Sequence, residues 1–372
     1  MIHLLTVIGA RPQIIKAAAV SRSIRGKYAG RITESILHTG QHYDSNMSQV
    51  FFNELGIPNP DYNLGVGSAS HGTQTARIIQ GIEEVLTKGH FDGIILYGDT
   101  NSTLAGAIAA SKLCVPIFHI EAGLRSFNMT MPEEINRIVC DQLSSILFAP
   151  TQTAVDNLVS EGLTFSSARF KQGKNRLVLN VGDVMYDNVV YYSDIAEKKS
   201  CILNECSISS GEYVLATVHR DFNTDDPVRI SAIFKALSSI TDRYSIPIIL
   251  PLHPRTRKYL PDGLSRGIKI IPPASFFDIL KLEKHARIIM TDSGGLQKEA
   301  FFFGKPCVIL RPETEWLEIV DHGAGVLANA DFDAIVHAYE TMSNKTVCFP
   351  PLFGDGHAAD KIVNAILSFL EK

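Results

Sequence analysis

The chain has 372 residues, of which 35 are lysine or arginine and 39 are aspartate or glutamate, so its formal charge is −4. This near balance argues against a nucleic-acid-binding protein, which usually carries a basic excess. A composition of 45% hydrophobic and 20% charged residues excludes a disordered or collagen-like chain, and no apolar run approaches the roughly 18 residues that predict a membrane insertion.

Short apolar runs alternate with amphipathic segments along the chain, which predicts strands that alternate with helices. In the first half, strands are predicted over 2–8, 32–38, 92–97, 115–120 and 145–149. In the second half, strands are predicted over 213–218, 246–251, 268–271, 287–291 and 306–310, and an amphipathic helix over 357–370. This order is typical of parallel sheets that helices cover on both faces.

The predicted fold class is therefore α/β, with two Rossmann-like domains in series. A segment of small, polar and basic residues, 165–175, is the predicted linker, so we place the first domain at 1–170 and the second at 171–356. Polar residues that follow the strands of such sheets line a ligand crevice. A cleft at the carboxyl ends of the strands is the expected substrate site.

The cysteines and the N-terminal segment predict a cellular location. The six cysteines form no Cys-x-x-Cys pair, and Cys114 and Cys307 lie in apolar, strand-like runs, where reduced and buried thiols are expected. Residues 1–12 run directly into a strand and a turn, without the basic start and the cleavage site of a secretion signal. We expect a cytoplasmic enzyme.

Two cations follow the first predicted strand. Gly9 allows a ligand to approach the backbone closely, and Pro12 is suited to the first turn of a helix whose N-terminus favours an anion. Arg11 and Lys16 add positive charge at this point. These residues predict an anion-binding site, and surface cations at a helix start are the alternative.

Three carboxylates lie near strand ends in the first half. Asp99 follows the strand over 92–97, where it could contact a ligand or cap the next helix. Glu121 follows the strand over 115–120, and a carboxylate there is harder to explain structurally. Glu133 lies at a helix start and shares a face with Arg137, so an exposed ion pair is the alternative to a role in a site.

The second half contains a candidate diphosphate site. Ser293, Gly294 and Gly295 follow a strand at the start of a helix, which offers free N–H groups and a hydroxyl to a phosphate. A glycine turn in which Ser293 caps the helix is the alternative. Glu299, further along the same helix, could accept hydrogen bonds from ribose hydroxyls.

Two histidines complete the set of candidates. His219 and His253 each follow a predicted strand, where a histidine can act as an acid, a base or a phosphate contact; for His219, a core position is the alternative. The sequence has no P-loop, dinucleotide fingerprint, zinc motif or GxSxG elbow, so we expect no cofactor and no metal. Carboxylates combined with a diphosphate site suit proton transfer on a nucleotide-linked sugar, although a sugar-transferring enzyme would use the same diphosphate site.

Several motifs carry a resemblance to a known family. They are Gly9-Ala10-Arg11-Pro12 with Lys16, Gly98-Asp99-Thr100, HIEAGLR at 119–125, Pro132-Glu133-Glu134 with Asn136-Arg137, His219-Arg220, TDSGG at 291–295, and Gly354-Asp355-Gly356. Over essentially the whole chain they resemble the non-hydrolysing UDP-N-acetylglucosamine 2-epimerases. The resemblance implies the two-domain GT-B architecture, with the final helix, 357–372, returning to the first domain. It also implies a homodimer and a role in precursor synthesis for bacterial surface polysaccharides such as lipopolysaccharide.

The resemblance further implies an isomerase reaction, the reversible inversion at C2 of a UDP-linked 2-acetamido sugar. A base removes the C2 proton as UDP leaves C1, a 2-acetamidoglucal forms, and protonation from the opposite face with re-addition of UDP completes the inversion. The residues that match the family's catalytic positions are Asp99, Glu121, Glu133 and His219. Those that match positions binding UDP or the sugar are Arg11, Lys16, Arg137, His253, Ser293, Gly294, Gly295 and Glu299.

Departures from the usual motifs point to one branch of the family. Gln13 and Asp221 each stand where a glutamate is usual, and Trp316 stands where an arginine usually lies near the nucleotide. With the loop over 126–129, these changes resemble the branch that acts on UDP-2,3-diacetamido-2,3-dideoxyglucuronic acid.

The same departures require two positive charges near the substrate to come from other residues. Lys305 or Arg311 could replace the missing arginine near the nucleotide, and Arg125 is the candidate partner of a substrate carboxylate. Three other functions stay open: a GT-B glycosyltransferase with a UDP-sugar donor, a hydrolysing 2-epimerase, and a UDP-sugar-binding regulator without turnover. The three carboxylates disfavour the regulator, which would need only the diphosphate site.

Overall fold

The protein forms two compact units. The computed structural model describes residues 1–41, 52, 55–163, 176–252, 257, 260 and 264–371. One unit comprises Met1–Asn188 and Pro351–Lys372, and the other comprises Val189–Pro350. The linker predicted over 165–175 and the domain boundary predicted at 170/171 lie outside the described residues.

Each unit is built on a parallel sheet. The strands of the first are β1 (Ile2–Ile8), β2 (Ile32–His38), β3 (Tyr62–Asn63), β4 (Gly93–Tyr97), β5 (Ile117–Ile120), β6 (Ile146–Ala149) and β7 (Leu177–Asn180). The strands of the second are β8 (Val214–Thr217), β9 (Ile248–Pro251), β10 (Ile268–Ile271), β11 (Ile288–Thr291), β12 (Cys307–Ile309) and β13 (Gly325–Leu327). The orders are β3-β2-β1-β4-β5-β6-β7 and β10-β9-β8-β11-β12-β13, which confirms the predicted α/β class.

Helices connect the strands and cover the sheets. They are α1 (Arg11–Arg25), α2 (His71–Lys88), α3 (Asn101–Lys112), α4 (Pro132–Leu143), α5 (Gln152–Ser160), α6 (Val184–Lys199), α7 (Ile202–Glu205), α8 (Asp221–Thr224), α9 (Pro227–Tyr244), α10 (Phe276–His285), α11 (Gly294–Phe302), α12 (Leu317–Asp321), α13 (Phe332–Asn344) and α14 (Ala358–Leu370). None of the described helices combines the length and the apolar character that a membrane span requires.

The central strands consist of apolar runs because helices bury both of their faces. Leu5 of β1 and Ile94 of β4 belong to one core of the first unit, together with Ile78 of α2. In the second unit, Met290 of β11 packs in a core with Phe234 of α9. Burial on both faces explains why these strands were predictable as continuous apolar segments.

The order of each sheet reverses at one pair of neighbouring strands. In the first unit this pair is β1 and β4, and in the second it is β8 and β11. At such a reversal the loops that follow the two strands diverge and leave a crevice at their carboxyl ends. The segments that begin at Gly9, Gly98, Val218 and Asp292 therefore occupy the positions where a ligand site is expected.

Some elements differ from the sequence predictions. Strands β3, β7 and β13 were not predicted, because they are only two to four residues long and lack an unbroken buried run. Cys307 is buried as predicted, but Cys114 is exposed and has a left-handed backbone, with φ of 56°. The expectation for Cys114 is wrong because the residue belongs to the turn before β5.

The last helix, α14, belongs to the first unit, as predicted. Ser23 of α1 donates a hydrogen bond to Asp360 at 2.6 Å. The N–H groups of Ala358 and Ala359 donate to the carboxylate of Asp187 at 3.0 and 2.7 Å. Asp187, from α6, therefore caps a helix whose own N-cap residue makes no side-chain cap.

The cap predicts how the stability of this unit depends on pH. Burial raises the pKa of Asp187 to about 6, although the N–H groups of Ala359 and Ala358 oppose the shift. Because the raised pKa favours the protonated carboxyl in the folded state, the contribution of Asp187 is greatest below about pH 4 and falls as the pH rises through 6. The free energy of unfolding of wild type minus that of Asp187→Asn should decrease by about 2 kcal/mol between pH 4 and pH 7.

Urea denaturation over a series of pH values measures this difference. Asp194→Asn, at an exposed position of the same helix, is the control and should show no such trend. A difference between wild type and Asp187→Asn that stays constant or grows with pH would contradict the raised pKa of Asp187.

Candidate active site

The turn after β4 is held by the neighbouring strand. Gly98 has φ of +61°, a conformation that favours glycine. Its N–H donates to the carbonyl of Ile120 at 3.0 Å, and its carbonyl accepts from Nε2 of His119 at 2.8 Å. A Cβ at this position would lie only 3.2 Å from Oε2 of Glu121 and 3.3 Å from Nζ of Lys16. The left-handed turn therefore favours glycine, and a Cβ here would also crowd the ends of the two side chains above it.

Asp99 follows this turn and forms an ion pair. Its Oδ2 accepts from Nη2 of Arg137 at 2.8 Å, and about a third of its side chain is exposed (33%). Loss of hydration raises the pKa of Asp99; Arg137 and Lys16 oppose the shift, while Glu121 and Glu133 add to it. Asp99 is thus a carboxyl that holds a proton more readily than usual, among both acids and cations.

Glu121 lies on the other side of the Gly98 turn. It forms an ion pair with Lys16 of α1, and both side chains are largely buried. Its backbone is left-handed, with φ of +69°, which is uncommon for a residue with a side chain and is concentrated at functional sites. The N–H groups of Glu121 and Ala122 both donate to the carbonyl of Phe148, at 3.1 Å, and hold this conformation.

Glu133 and Arg137 do not form the ion pair that their spacing suggested. The carboxylate partners of Arg137 are Asp99, at 2.8 Å, and Glu134, at 3.4 Å, while Nε of Arg137 donates to the main-chain carbonyl of Glu133. Glu133 is exposed in the first turn of α4. Its charge still acts on Asp99, so three of the predicted acids belong to one cluster.

Arg11 and Gln13 lie in the first turn of α1. Arg11 is exposed, whereas Gln13 is buried, and its Oε1 accepts from the N–H of Gly9 at 2.8 Å. The amide nitrogen of Gln13 donates to the carbonyl of Tyr97 at 2.8 Å and to Oγ1 of Thr103 at 3.0 Å. A glutamate could not make these last two bonds while ionised, which gives a physical reason for glutamine at this position.

In the second unit, a buried aspartate organises the end of β8. Asp292 is fully buried and accepts from the N–H groups of His219 and Arg220, at 3.1 and 3.0 Å, and from Nδ2 of Asn223 at 3.1 Å. Nδ1 of His219 lies 3.3 Å from the same carboxylate, and its side chain is 49% exposed. Asp292 therefore orients a histidine that is open to solvent, which excludes a core position for His219.

The start of α11 lies beside an arginine. Ser293 is its N-cap, and its hydroxyl accepts from the N–H of Leu296 at 3.5 Å. A Cβ on Gly294 would lie 3.6 Å from Glu315 and 3.7 Å from both Nη1 of Arg311 and Nε1 of Trp316. Since the first N–H groups of a helix have no acceptor within it, Gly294 and Gly295 present N–H donors next to these side chains.

The remaining predicted residues of the second half are Glu299, His253 and Lys305. Glu299 lies in α11, is largely buried and acts on Glu283 of α10, whose pKa burial and the neighbouring Glu299 raise well above its ordinary value. His253 lies outside the described residues. Lys305 follows the C-terminal end of α11, so the length of the helix separates it from Gly294. Of the two proposed replacements for the missing arginine, only Arg311 lies at the start of α11.

Comparison with known proteins decides the family. Residues 26–367 match the family model described as UDP-N-acetylglucosamine 2-epimerase. The UDP-2,3-diacetamido-2,3-dideoxy-D-glucuronate 2-epimerase of Pseudomonas aeruginosa is 48% identical over 361 residues, which cover 96% of this chain and 98% of that protein. The chain belongs to the UDP-N-acetylglucosamine 2-epimerase family.

Solved structures agree with this assignment. The UDP-N-acetylglucosamine 2-epimerase of Methanocaldococcus jannaschii, in complex with UDP-GlcNAc and UDP, is similar with a TM-score of 0.86 and 39% identity, over 99% of this chain and 100% of that one. A ugt transferase from Siraitia grosvenorii in complex with UDP has a TM-score of 0.63 at 12% identity, over the whole of both chains, and shares the fold alone. The epimerase thus has the GT-B architecture and, by its family, is an isomerase.

One predicted substrate contact of this epimerase is wrong. Arg125 was expected to face a substrate carboxylate, but its side chain is 1% exposed. Its guanidinium pairs with Asp141 at 2.8 Å and with Glu161 through two bonds of 2.6 and 2.7 Å. These two acids compensate the positive charge of Arg125 inside the first unit.

Sequence reasoning missed several residues that position the acids of the epimerase. Asn136 donates to the carbonyl of Asp99 at 2.9 Å, and Glu134 accepts from the N–H groups of Ser126 and Phe127 at 3.0 Å. His119 and Asp292 bind the segments that follow β4 and β8. The available signal was a polar residue within or directly after an apolar strand, which marks a buried group in need of a partner.

Measurements of the free energy of unfolding test the structural role of Arg125. Arg125→Gln removes the buried cation that Asp141 and Glu161 share, so the free energy of unfolding should fall by about 3–5 kcal/mol. Arg31→Gln removes an exposed pair with Glu371 and should cost less than about 1 kcal/mol. Thermal and urea unfolding measure both. An Arg125→Gln protein of wild-type stability with a raised KM would instead make Arg125 a substrate contact.

Proposed function

We propose that the protein inverts C2 of a UDP-linked 2-acetamido sugar by eliminating and re-adding UDP, without net hydrolysis. The observation that carries the proposal is the pair of carboxylates around the Gly98 turn. Asp99 and Glu121 each have a cationic partner, Arg137 and Lys16, and they follow the neighbouring strands β4 and β5 at the edge of the sheet where a ligand is expected. A mere UDP-binding protein has no need of such a pair.

The chemistry needs one group to take a proton and another to give one. In the forward step the C2–H and C1–O bonds break, a carboxylate takes the proton, and the electron pair of the C–O bond leaves with UDP. In the return step the UDP oxygen attacks C1 of the glycal while the other acid protonates C2 on the opposite face. The raised pKa of Asp99 suits it to hold a proton between the steps, and Lys16 favours the ionised form of Glu121.

Glu133 and His219 complete the proposed catalytic set. Glu133 lies close enough to Asp99 to influence its ionisation, so we assign it to the same proton-transfer group. His219 is directed by Asp292 and exposes its ring, which suits it to donate to the departing diphosphate. Arg11, at the start of α1, and Arg137, beside Asp99, supply further positive charge for the substrate.

The departing diphosphate needs donors that form before the reaction begins. We assign it to the N–H groups of Gly294 and Gly295 together with Ser293, since a helix start favours an anion. Arg311 lies beside Gly294 and is paired with Glu315 through two bonds of 2.9 Å; we assign to it the positive charge that the usual arginine at the position of Trp316 would provide. Glu299 and His253 are retained as proposed contacts of the nucleotide.

The substrate we propose is the diacetamido uronate. The basis is the full-length similarity to the Pseudomonas aeruginosa enzyme, with glutamine at position 13 and tryptophan at position 316 in agreement with that branch. We further propose that the enzyme is a cytoplasmic homodimer that supplies precursors of a surface polysaccharide and requires no cofactor, metal or nucleic acid.

An exchange experiment tests the reaction. In deuterium oxide, with a UDP-linked 2-acetamido sugar and no acceptor, the protein should produce both C2 epimers and incorporate deuterium at C2, as observed by NMR. The diacetamido uronate should show a kcat/KM about tenfold or more above that of UDP-GlcNAc. Accumulation of free sugar and UDP would indicate a hydrolysing enzyme, and turnover only with an acceptor would indicate a glycosyltransferase.

Variants of the acids give the matched control for this experiment. Asp99→Asn, Glu121→Gln and Glu133→Gln should each lower kcat by about 10²-fold or more, while UDP still binds because the start of α11 is unchanged. Glu84→Gln, in an exposed pair with Lys88, should behave as wild type. Wild-type turnover in one of the three variants would remove that residue from the proposed mechanism.

A further inference from the structure

His119 has an acceptor at each of its ring nitrogens. Nδ1 lies 2.7 Å from Oδ1 of Asp141, and Nε2 lies 2.8 Å from the carbonyl oxygen of Gly98. The side chain is completely buried. A main-chain carbonyl has no proton to donate, so Nε2 must carry the hydrogen of that bond.

The charge state of Asp141 determines whether the other ring nitrogen of His119 carries a hydrogen. Its Oδ2 accepts from Arg125 at 2.8 Å and from the N–H of Gly123 at 3.1 Å, two groups that can only donate, so Asp141 is bound there as a carboxylate. A carboxylate can only accept, so Nδ1 of His119 must also carry a hydrogen. With both nitrogens protonated, the ring is an imidazolium cation.

Other groups around the ring agree with this charge. Burial alone would lower the pKa of His119, but Cys140 and Asp141 outweigh it, and the pKa lies well above its usual range. Arg125 and Arg176 also act on Asp141. Asp141 therefore interacts with the two arginines Arg125 and Arg176 as well as with His119. Glu161 supplies a second negative charge through its bonds to Arg125.

The imidazolium is placed where it affects both proposed acids. It holds the carbonyl of Gly98, directly before Asp99, while the next residue of its own strand, Ile120, accepts from the N–H of the same glycine. Glu121 follows Ile120. One short segment of β5 therefore holds the turn that carries one acid and ends in the other.

We propose that His119 is a permanently charged positioning residue, which donates from both ring nitrogens and so fixes the separation of Asp99 and Glu121. Its expected effect on turnover rests on the proposed epimerase function, but its protonation state does not. A neutral histidine would leave either Gly98 or Asp141 without its donor in a buried place, which is costly. His119 itself does not contact the substrate.

NMR of the wild-type protein labelled with nitrogen-15 histidine tests the charge. Both ring nitrogens of His119 should show bonded protons, with no titration between about pH 6 and pH 8.5. The signals are assigned by their loss in His119→Asn. A neutral tautomer, with one unprotonated ring nitrogen at pH 7.5, would overturn the inference, whether or not the protein is an epimerase.

Kinetics test the positioning. In His119→Asn, which can donate to only one of the two acceptors, kcat should fall about 10²-fold, with KM and UDP affinity changed less than about threefold. The pH profile of kcat should also shift, since the Gly98 turn that precedes Asp99 loses its donor. His337→Asn, exposed on α13, should match wild type.

The two measurements separate the possible failures. If wild type has no epimerase activity, the proposed function fails while NMR still decides the state of His119. If His119→Asn does not fold, His119→Gln and the NMR of wild type decide the matter. A folded His119→Asn protein with wild-type kcat and pH profile would overturn the positioning role.

Discussion

The peptide of Gly98 is held from both sides by one neighbouring strand, and the arrangement of the acids depends on this contact. Its N–H and its carbonyl are bound by Ile120 and His119, so the turn after β4 cannot move independently of the end of β5. The turn is left-handed, and a Cβ in it would lie only 3.2 and 3.3 Å from the ends of Glu121 and Lys16. Two carboxylates from separate loops thereby acquire a defined spacing.

Local pairing of charge matters more to this spacing than the overall charge of the chain. In the first unit, Lys16 pairs with Glu121, Arg137 with Asp99, and Arg125 with Asp141. The first two pairs lie beside the segments that follow β4 and β5, at the edge of the sheet where a substrate is expected, and the third is enclosed. The net charge of −4 reveals none of this, because acids and cations that meet in the fold cancel in the sum.

The second unit has a different arrangement of charges at the point where the order of its sheet reverses. A single buried carboxylate, Asp292, accepts from main-chain and side-chain donors and directs His219. The following residues begin α11 with free donors beside Arg311. In the proposed mechanism, the first unit supplies the acids for proton transfer and the second supplies the donors for the diphosphate, in a reaction that breaks a C–H bond and a C–O bond.

Much of this organisation was predictable from the sequence, and the rest was not for physical reasons. Strands β1, β2 and β10 match their predicted bounds, because isoleucine or leucine recurs along each of them, whereas β3 and β13 are only two and three residues long. The positions of Asp99 and Glu121 followed from their place after strands. The partners of Arg125 and Arg137 could not be predicted, since helix spacing describes contacts within one helix, and these arginines bind acids from other elements.

Positional isotope exchange tests the central claim most directly, because it reports whether UDP leaves C1 and returns. The substrate would carry oxygen-18 in the bridge between C1 and the β-phosphorus, and recovered substrate would be analysed by phosphorus NMR. The account predicts that the label moves into the non-bridging positions of the β-phosphate, together with deuterium incorporation at C2. Deuterium incorporation with the label entirely retained in the bridge would contradict it, because C2 would then be inverted without cleavage of the C1–O bond.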